Sequence, residues 1–103
     1  MSITLRVIQR FDIRHQKEFL ELEKLFAQLE RARPDYVNGK RRRPIAAAEP
    51  VNTLIWEGEF PDLAAAQRWL EFLETDGEHS GLFARQQPYF EAVRIEFYEN
   101  LDY

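Results

Sequence analysis

The 103-residue chain predicts an α+β fold, one four-stranded antiparallel sheet with two helices on one face, in β-α-β-β-α-β order. Three observations predict it. A segment of period two runs directly into a segment of helical period, that couple occurs twice, and a last alternating segment closes the chain.

The first strand is read over Ile3–Phe11, where Ile3, Leu5, Val7 and Phe11 alternate with Thr4, Arg6, Ile8 and Arg10. From about His15 to Ala32 the period lengthens, and Phe19, Leu22, Phe26 and Leu29 share one helical face with Leu25 beside them. Glu18, Glu21, Glu23, Lys24 and Glu30 are assigned to the solvent side, as in an amphipathic surface helix. Pro34 ends this helix, because the residue before a proline is driven out of helical geometry. An irregular second strand is expected at about Arg41–Ala47, after the Asn38-Gly39 turn, since charge and proline suit a sheet edge. The third strand is read over Asn52–Phe60, with Leu54, Trp56 and Phe60 set against Thr53, Ile55, Glu57 and Glu59. Asp62 is placed to cap the second helix, whose stripe is Leu63, Ala66, Trp69, Leu70 and Leu73. Asp76-Gly77 stops it, a short helix is expected over about Glu78–Gln87, and Val93–Tyr98 is the last strand.

One domain over 1–103 is expected at this length. Eight Phe, four Tyr and two Trp imply that a few large rings dominate the core or an interface. There is no cysteine, which removes disulfides, thiolate metal sites and thiol nucleophiles, and a cytoplasmic location fits. A net charge of -4 argues against general nucleic-acid binding, where phosphate neutralisation supplies the affinity. No apolar run approaches the ~20 residues that cross a bilayer, and the first residues lack the apolar core of a signal peptide. Neither a nucleic acid nor a membrane is an expected partner.

Two helices can cover only one sheet face. The set Leu5, Val7, Phe11, Leu54, Trp56, Phe60, Val93, Ile95 and Phe97 is assigned to that side. The other face then carries Arg6, Ile8, Arg10, Ile55, Glu57, Glu59, Arg94, Glu96 and Tyr98, with Thr4 and Thr53. A face left to water would be uniformly polar, whereas this one mixes apolar residues with charges of both signs. It is read as a homodimer interface. With strand order 4-1-3-2, Arg6 and Arg10 lie between the Glu57/Glu59 strand and the Glu96 strand, and such charges act as address labels for a matching partner.

Three segments carry a resemblance: Arg10-Phe11-Asp12-Ile13 leading into the first helix; Asn52–Phe60 followed by Pro61-Asp62-Leu63; and Asp76-Gly77-Glu78-His79 through Leu82-Phe83 to Pro88-Tyr89-Phe90. On these the chain resembles the dimeric α/β-barrel superfamily, ferredoxin-like domains that include NIPSNAP-like proteins and cofactor-free monooxygenases of antibiotic biosynthesis. The resemblance implies two sheets facing each other in a dimer, with a small pocket between sheet and helices in each subunit. The pocket is expected to be lined by Trp56, Trp69, Phe83 and Tyr89, with Gln9 and His79 as polar groups, and to suit a flat apolar ligand. No cofactor is expected.

Single residues are weighed against plainer roles. His79 could serve as a proton shuttle or ligate haem iron, but a helix-start residue bonded to nearby backbone is the plainer role. In haem-degrading relatives a helix-two tryptophan and a following histidine are spaced like Trp69 and His79, and Gln9 stands where they use an asparagine. Asp76, Glu78 and His79 have no metal-ligand spacing. Glu57 and Glu59 share a face with Arg6 and Arg10, which suits structure better than acid/base work. The run Lys40–Arg43 is read as a charged edge. An RNA-recognition domain would need rings where Glu57 and Glu59 stand, and Ser80 lacks a nucleophile elbow. Two functions stay open: a small-molecule-binding or structural protein, and a cofactor-independent monooxygenase acting on an aromatic or polyketide-like substrate.

Overall fold

In the computed structural model, which describes residues 2–103, the strands are β1 (Ile3–Phe11), β2 (Lys40–Arg42), β3 (Thr53–Phe60) and β4 (Phe90–Glu99). The helices are α1 (Gln16–Ala32), α2 (Leu63–Thr75) and α3 (Gly77–Gln86), with single 3-10 turns at Ile13–His15 and Gln87–Tyr89. The sheet is antiparallel in the order β2-β3-β1-β4, the arrangement expected from the sequence. Asp62 caps α2 as expected, its Oδ1 accepting from the Ala65 N–H at 2.8 Å. No described helix is long and apolar enough to cross a membrane.

Register sets the two faces. Val7 pairs with Trp56 and Ile95, and Gln9 with Leu54 and Val93, so these side chains share the helix-covered side. Arg6 pairs with Glu57 and Glu96, and Ile8 with Ile55 and Arg94, on the outer side.

Four expectations are corrected. The second strand is shorter and earlier than Arg41–Ala47, because Pro44 has no N–H for the ladder and residues 43–52 form a loop. Leu63, placed in the buried stripe of α2, is exposed at the helix start. Val93, Ile95 and Phe97 face the helix side but stay 51%, 45% and 41% exposed. They stand on the outermost strand, where the helices leave a cleft open. Glu23 and Glu30, assigned to solvent, are buried on the inner face of α1, where Arg41 meets them.

The core forms two clusters. Leu5, Leu29, Tyr36, Trp56, Phe60, Ala66 and Trp69 make the larger. Phe11, Phe19 and Leu54 make the smaller, with Phe11 stacked on Phe19 at 4.5 Å and Phe90 edge-on to Phe19 at 5.4 Å. Trp56 lies in a slot formed by two glycines. A Cβ at Gly39 or at Gly58 would fall inside contact distance of the Trp56 indole, so both positions exclude a side chain.

The α2–α3 corner is tied to the end of α1 by one carboxylate. Asp76 accepts from the Tyr36 hydroxyl, from Arg33 Nη1 at 2.8 Å, and from the His79 N–H at 3.1 Å, which caps α3. The Tyr36 hydroxyl, the His79 N–H and the Arg33 guanidinium hold this carboxyl at about 2.

Two outcomes are expected. Gly58→Ala pushes against Trp56 and costs about 1–3 kcal/mol in urea denaturation, as overpacking does. The folded-state pKa of Asp76 lies below its ordinary value of 3.8. Its stabilisation is therefore complete above that value and lost as pH falls towards about 2. Urea midpoints measured down that range fall more steeply for the natural chain than for Asp76→Asn.

Candidate functional site

The two clusters leave a cleft of about 710 Å³ between the sheet and all three helices. Val7, Trp56, Val93 and Ile95 come from the sheet, Phe26 from α1, Trp69, Leu70 and Leu73 from α2, and His79 and Phe83 from α3. Helical spacing produces the α2 wall, since positions three and four apart share a face. Trp56 and Trp69 stack with ring centres 6.3 Å apart and planes 16° apart. The lining is mostly apolar and aromatic with few polar groups, the composition of a small-molecule site.

Those polar groups are unusual. Glu23 and Glu30 are both buried and share one guanidinium, that of Arg41. Arg41 Nε lies 2.9 Å from Glu23 Oε1, and Arg41 Nη2 lies 2.6 Å from Glu30 Oε2. Glu30 Oε1 accepts also from the Gly39 N–H at 3.1 Å and the Trp56 indole N–H at 3.4 Å. Gln86, almost fully buried, donates to Glu23 Oε2 at 2.7 Å. Gln9 differs: it is buried, it lines the cleft, and its carboxamide makes no hydrogen bond to any described residue.

His79 stands beside Phe26 at 5.1 Å and stacks on Phe83 at 6.2 Å. Burial holds its imidazole below the ordinary 6.5, against the pull of Asp76, Glu30 and the Leu73 carbonyl. A neutral imidazole can accept a proton or a hydrogen bond from a guest.

Gln9, Trp56, Trp69, His79 and Phe83 therefore meet in one cleft. Tyr89 does not. It packs against His15 at 5.0 Å and lines a separate shallow hollow with Leu22, Leu25 and Arg85. Tyr89 ends the 3-10 turn at Gln87–Tyr89, and its ring packs against the smaller core cluster of Phe11, Phe19 and Leu54. Glu23, Glu30, Arg41 and Gln86 were not expected here. A signal existed for the acids: Glu23 and Glu30 are each four residues beyond Phe19 and Phe26, in phase with the apolar stripe.

The outer face holds the residues assigned to an interface. Ile8 and Ile55 are buried, Arg6, Glu57 and Glu96 are half-buried, and Arg10, Glu59, Arg94 and Tyr98 are exposed. Arg6 Nε lies 3.3 Å from Glu57 Oε1, yet its N–H makes no hydrogen bond. Arg94 is held by Glu49 and Glu96. Among the described residues, no three His, Cys, Asp or Glu side chains are grouped to hold a metal ion.

No protein-family model and no curated protein matches the chain. Solved structures do. A NIPSNAP family protein from Agrobacterium tumefaciens is similar with a TM-score of 0.81 at 14% identity, over 99% of this chain and 88% of that one. A dimeric protein of unknown function and ferredoxin-like fold from Bacteroides fragilis gives 0.69 at 14%, over 96% of both chains. SnoaB, a cofactor-independent oxygenase from Streptomyces nogalater, gives 0.66 at 12%, over 99% of this chain and 95% of that one. The chain shares the ferredoxin-like fold of these proteins, and at such identities the likeness is one of fold.

Two measurements probe the cleft's polar wall. Arg41→Met leaves two buried carboxylates without their cation and is expected to cost about 3–5 kcal/mol in chemical denaturation. The His79 pKa is lowered in the folded chain, so its contribution to stability is present above about 6.5 and lost as pH falls below it. In an NMR titration the His79 ring protons shift at a midpoint under 6.5, whereas an unperturbed imidazole would titrate at that value.

Proposed function

We propose that the protein is a homodimer that binds a small, flat, mostly apolar molecule in the cleft between its sheet and helices. The observation that supports this most is the unpaired carboxamide of buried Gln9 in a cleft walled by Trp56, Trp69, Phe26 and Phe83. The Gln9 carboxamide is not sealed off but opens on the cleft, so it offers a donor and an acceptor that a guest can take in place of water. Stacked rings supply the rest of the affinity, through apolar area and face-to-face contact.

The dimer half of the reading is supported by the outer sheet face. Tyr98 stands exposed there among charged residues of both signs, whereas Ile8 and Ile55, expected to meet a partner, are already buried within the single chain. One of the similar structures is of a dimeric protein with this fold. A cytoplasmic setting belongs to the same reading and is supported by the absence of cysteine.

The second reading is a cofactor-independent monooxygenase acting on an aromatic or polyketide-like substrate. His79 favours it: a neutral, half-buried imidazole facing an apolar cleft is placed to remove a proton from a substrate, whose carbanion then reacts with oxygen. A fold shared with SnoaB adds to the case. Haem fits poorly. Its propionates would approach a cleft lined by Glu23, Glu30 and Glu74, where Arg41 is already shared by two carboxylates.

Native mass spectrometry of the purified chain is expected to show twice the chain mass, and Tyr98→Glu to shift it to monomer; a strictly monomeric natural chain overturns the dimer. Naphthalene-type rings are expected to quench tryptophan fluorescence, and Trp69→Ala to weaken binding by about tenfold or more. No quenching by any such ring overturns the binding reading. Oxygen uptake with polycyclic phenols, abolished in His79→Ala, would decide for the enzyme.

A further inference from the structure

At the back of the cleft two carboxylates share one cation. Glu23 and Glu30 are 5% and 7% exposed, and Arg41 is the one positively charged side chain paired with either among the described residues. Glu30 is nearly saturated, since its Oε1 accepts from the Gly39 N–H, Arg41 Nη1 and the Trp56 indole and its Oε2 from Arg41 Nη2. Glu23 is not. It takes one bond on each oxygen, from Arg41 Nε and from Gln86 Nε2, whereas a carboxylate offers about four acceptor positions.

The buried group of Glu23, Arg41 and Glu30 thus carries one more negative than positive charge. The other ionisable side chains on the cleft wall, Tyr36, Glu74 and His79, do not offset it: Glu74 is acidic, Tyr36 stays a neutral phenol because burial and Asp76 raise its pKa, and burial disfavours the cationic form of His79. Beside this imbalance stands Gln9, 8% exposed as a residue, whose carboxamide opens on the cleft and makes no hydrogen bond to a described residue. A buried charge without its counterpart is costly, and here the vacancy faces a cavity large enough to admit a guest.

From this juxtaposition we infer that the cleft takes an organic cation, a flat apolar ring system bearing a protonated amine that seats against Glu23 and Gln9. The inference rests on the small-molecule reading above and narrows its ligand class. An ammonium group carries three donors, which match the two open positions on Glu23 and the Gln9 oxygen. The faces of Trp56 and Trp69 attract a cation through their ring quadrupoles. An anionic ring would meet three carboxylates and an arginine already committed.

The test is calorimetric titration of the full chain near neutral pH with three probes on one ring: naphthylmethylamine, naphthalenemethanol and naphthoate. The amine is expected to bind about tenfold more tightly than the alcohol, with naphthoate weakest. Glu23→Gln is expected to erase the amine's advantage while leaving the alcohol's affinity in place, and Gln9→Met to weaken the amine severalfold. If naphthoate binds as well as the amine, or if a folded Glu23→Gln keeps the amine's advantage, the charge preference is wrong and ring binding survives. If none of the three binds, both readings fall. Should Glu23→Gln fail to fold by circular dichroism, the ranking on the natural chain decides.

Discussion

The sharing of Arg41 by Glu23 and Glu30 is the constraint on which the inner side of the molecule depends. β2 has only three residues, and three rungs of a ladder at a sheet edge hold a chain weakly. Arg41 adds an anchor by reaching from that edge to two carboxylates on α1. Glu30 carries the same tie further, to the Gly39 backbone and the Trp56 indole. One helix residue therefore fixes the turn into β2, the edge strand and the largest ring of the sheet. Burying three charges to do this is expensive, and an apolar set of equal volume could hold the elements together as well. The network is better explained by the polarity it gives the cleft than by the stability it adds.

That polarity depends in turn on how the helices are spaced. α1 and α2 pack over the inner strands, and α3 turns back from the Asp76 corner to face α1 through His79, which meets Phe26, and β4 through Phe83, which meets Phe90. The corner is rigid because Asp76 answers three donors from three places, the end of α1, the residue Tyr36 beyond it and the first turn of α3. A rigid corner leaves α3 neither flush with the sheet nor free of it. Val93 and Ile95 of β4 stay uncovered beneath it, and the space between becomes the cleft.

Much of this was legible in the sequence, for reasons that differ by element. β1 and β3 were readable because their helix-facing positions carry the largest apolar side chains, and period two survives even with Gln9 standing among them and with Ile8, Thr53 and Ile55 buried on the other face. Asp62 was readable as a cap because it precedes an apolar stripe and follows a proline. The strand order could be read from the β-α-β-β-α-β succession. β2 was misplaced since its length is set by Pro44 and by the reach of Arg41, neither of which has a period. Glu23 and Glu30 were misread because an acid on an amphipathic helix belongs outside by default. Their phase with Phe19 and Phe26 pointed inward, but only a cation on another element makes that position tenable, and Arg41 is eleven residues beyond Glu30 in the chain. Tyr89 was misplaced by a turn whose direction leaves no trace in hydrophobic pattern.

The two sides of the sheet end up with different electrical characters, and this bears on how one fold can serve several chemistries. On the outer side Arg6 has Glu57 and Glu96 in register, while Arg10 pairs with Glu91 and Arg94 with Glu49 and Glu96, so that face is close to balanced. On the inner side the acids outnumber the bases, and the surplus is buried where water screens it least. A balanced surface selects a partner by pattern, whereas an unbalanced cavity selects a guest by charge. The apolar register that builds the sheet does not itself depend on Gln9 or His79, so those two positions can change without disturbing the strand pattern.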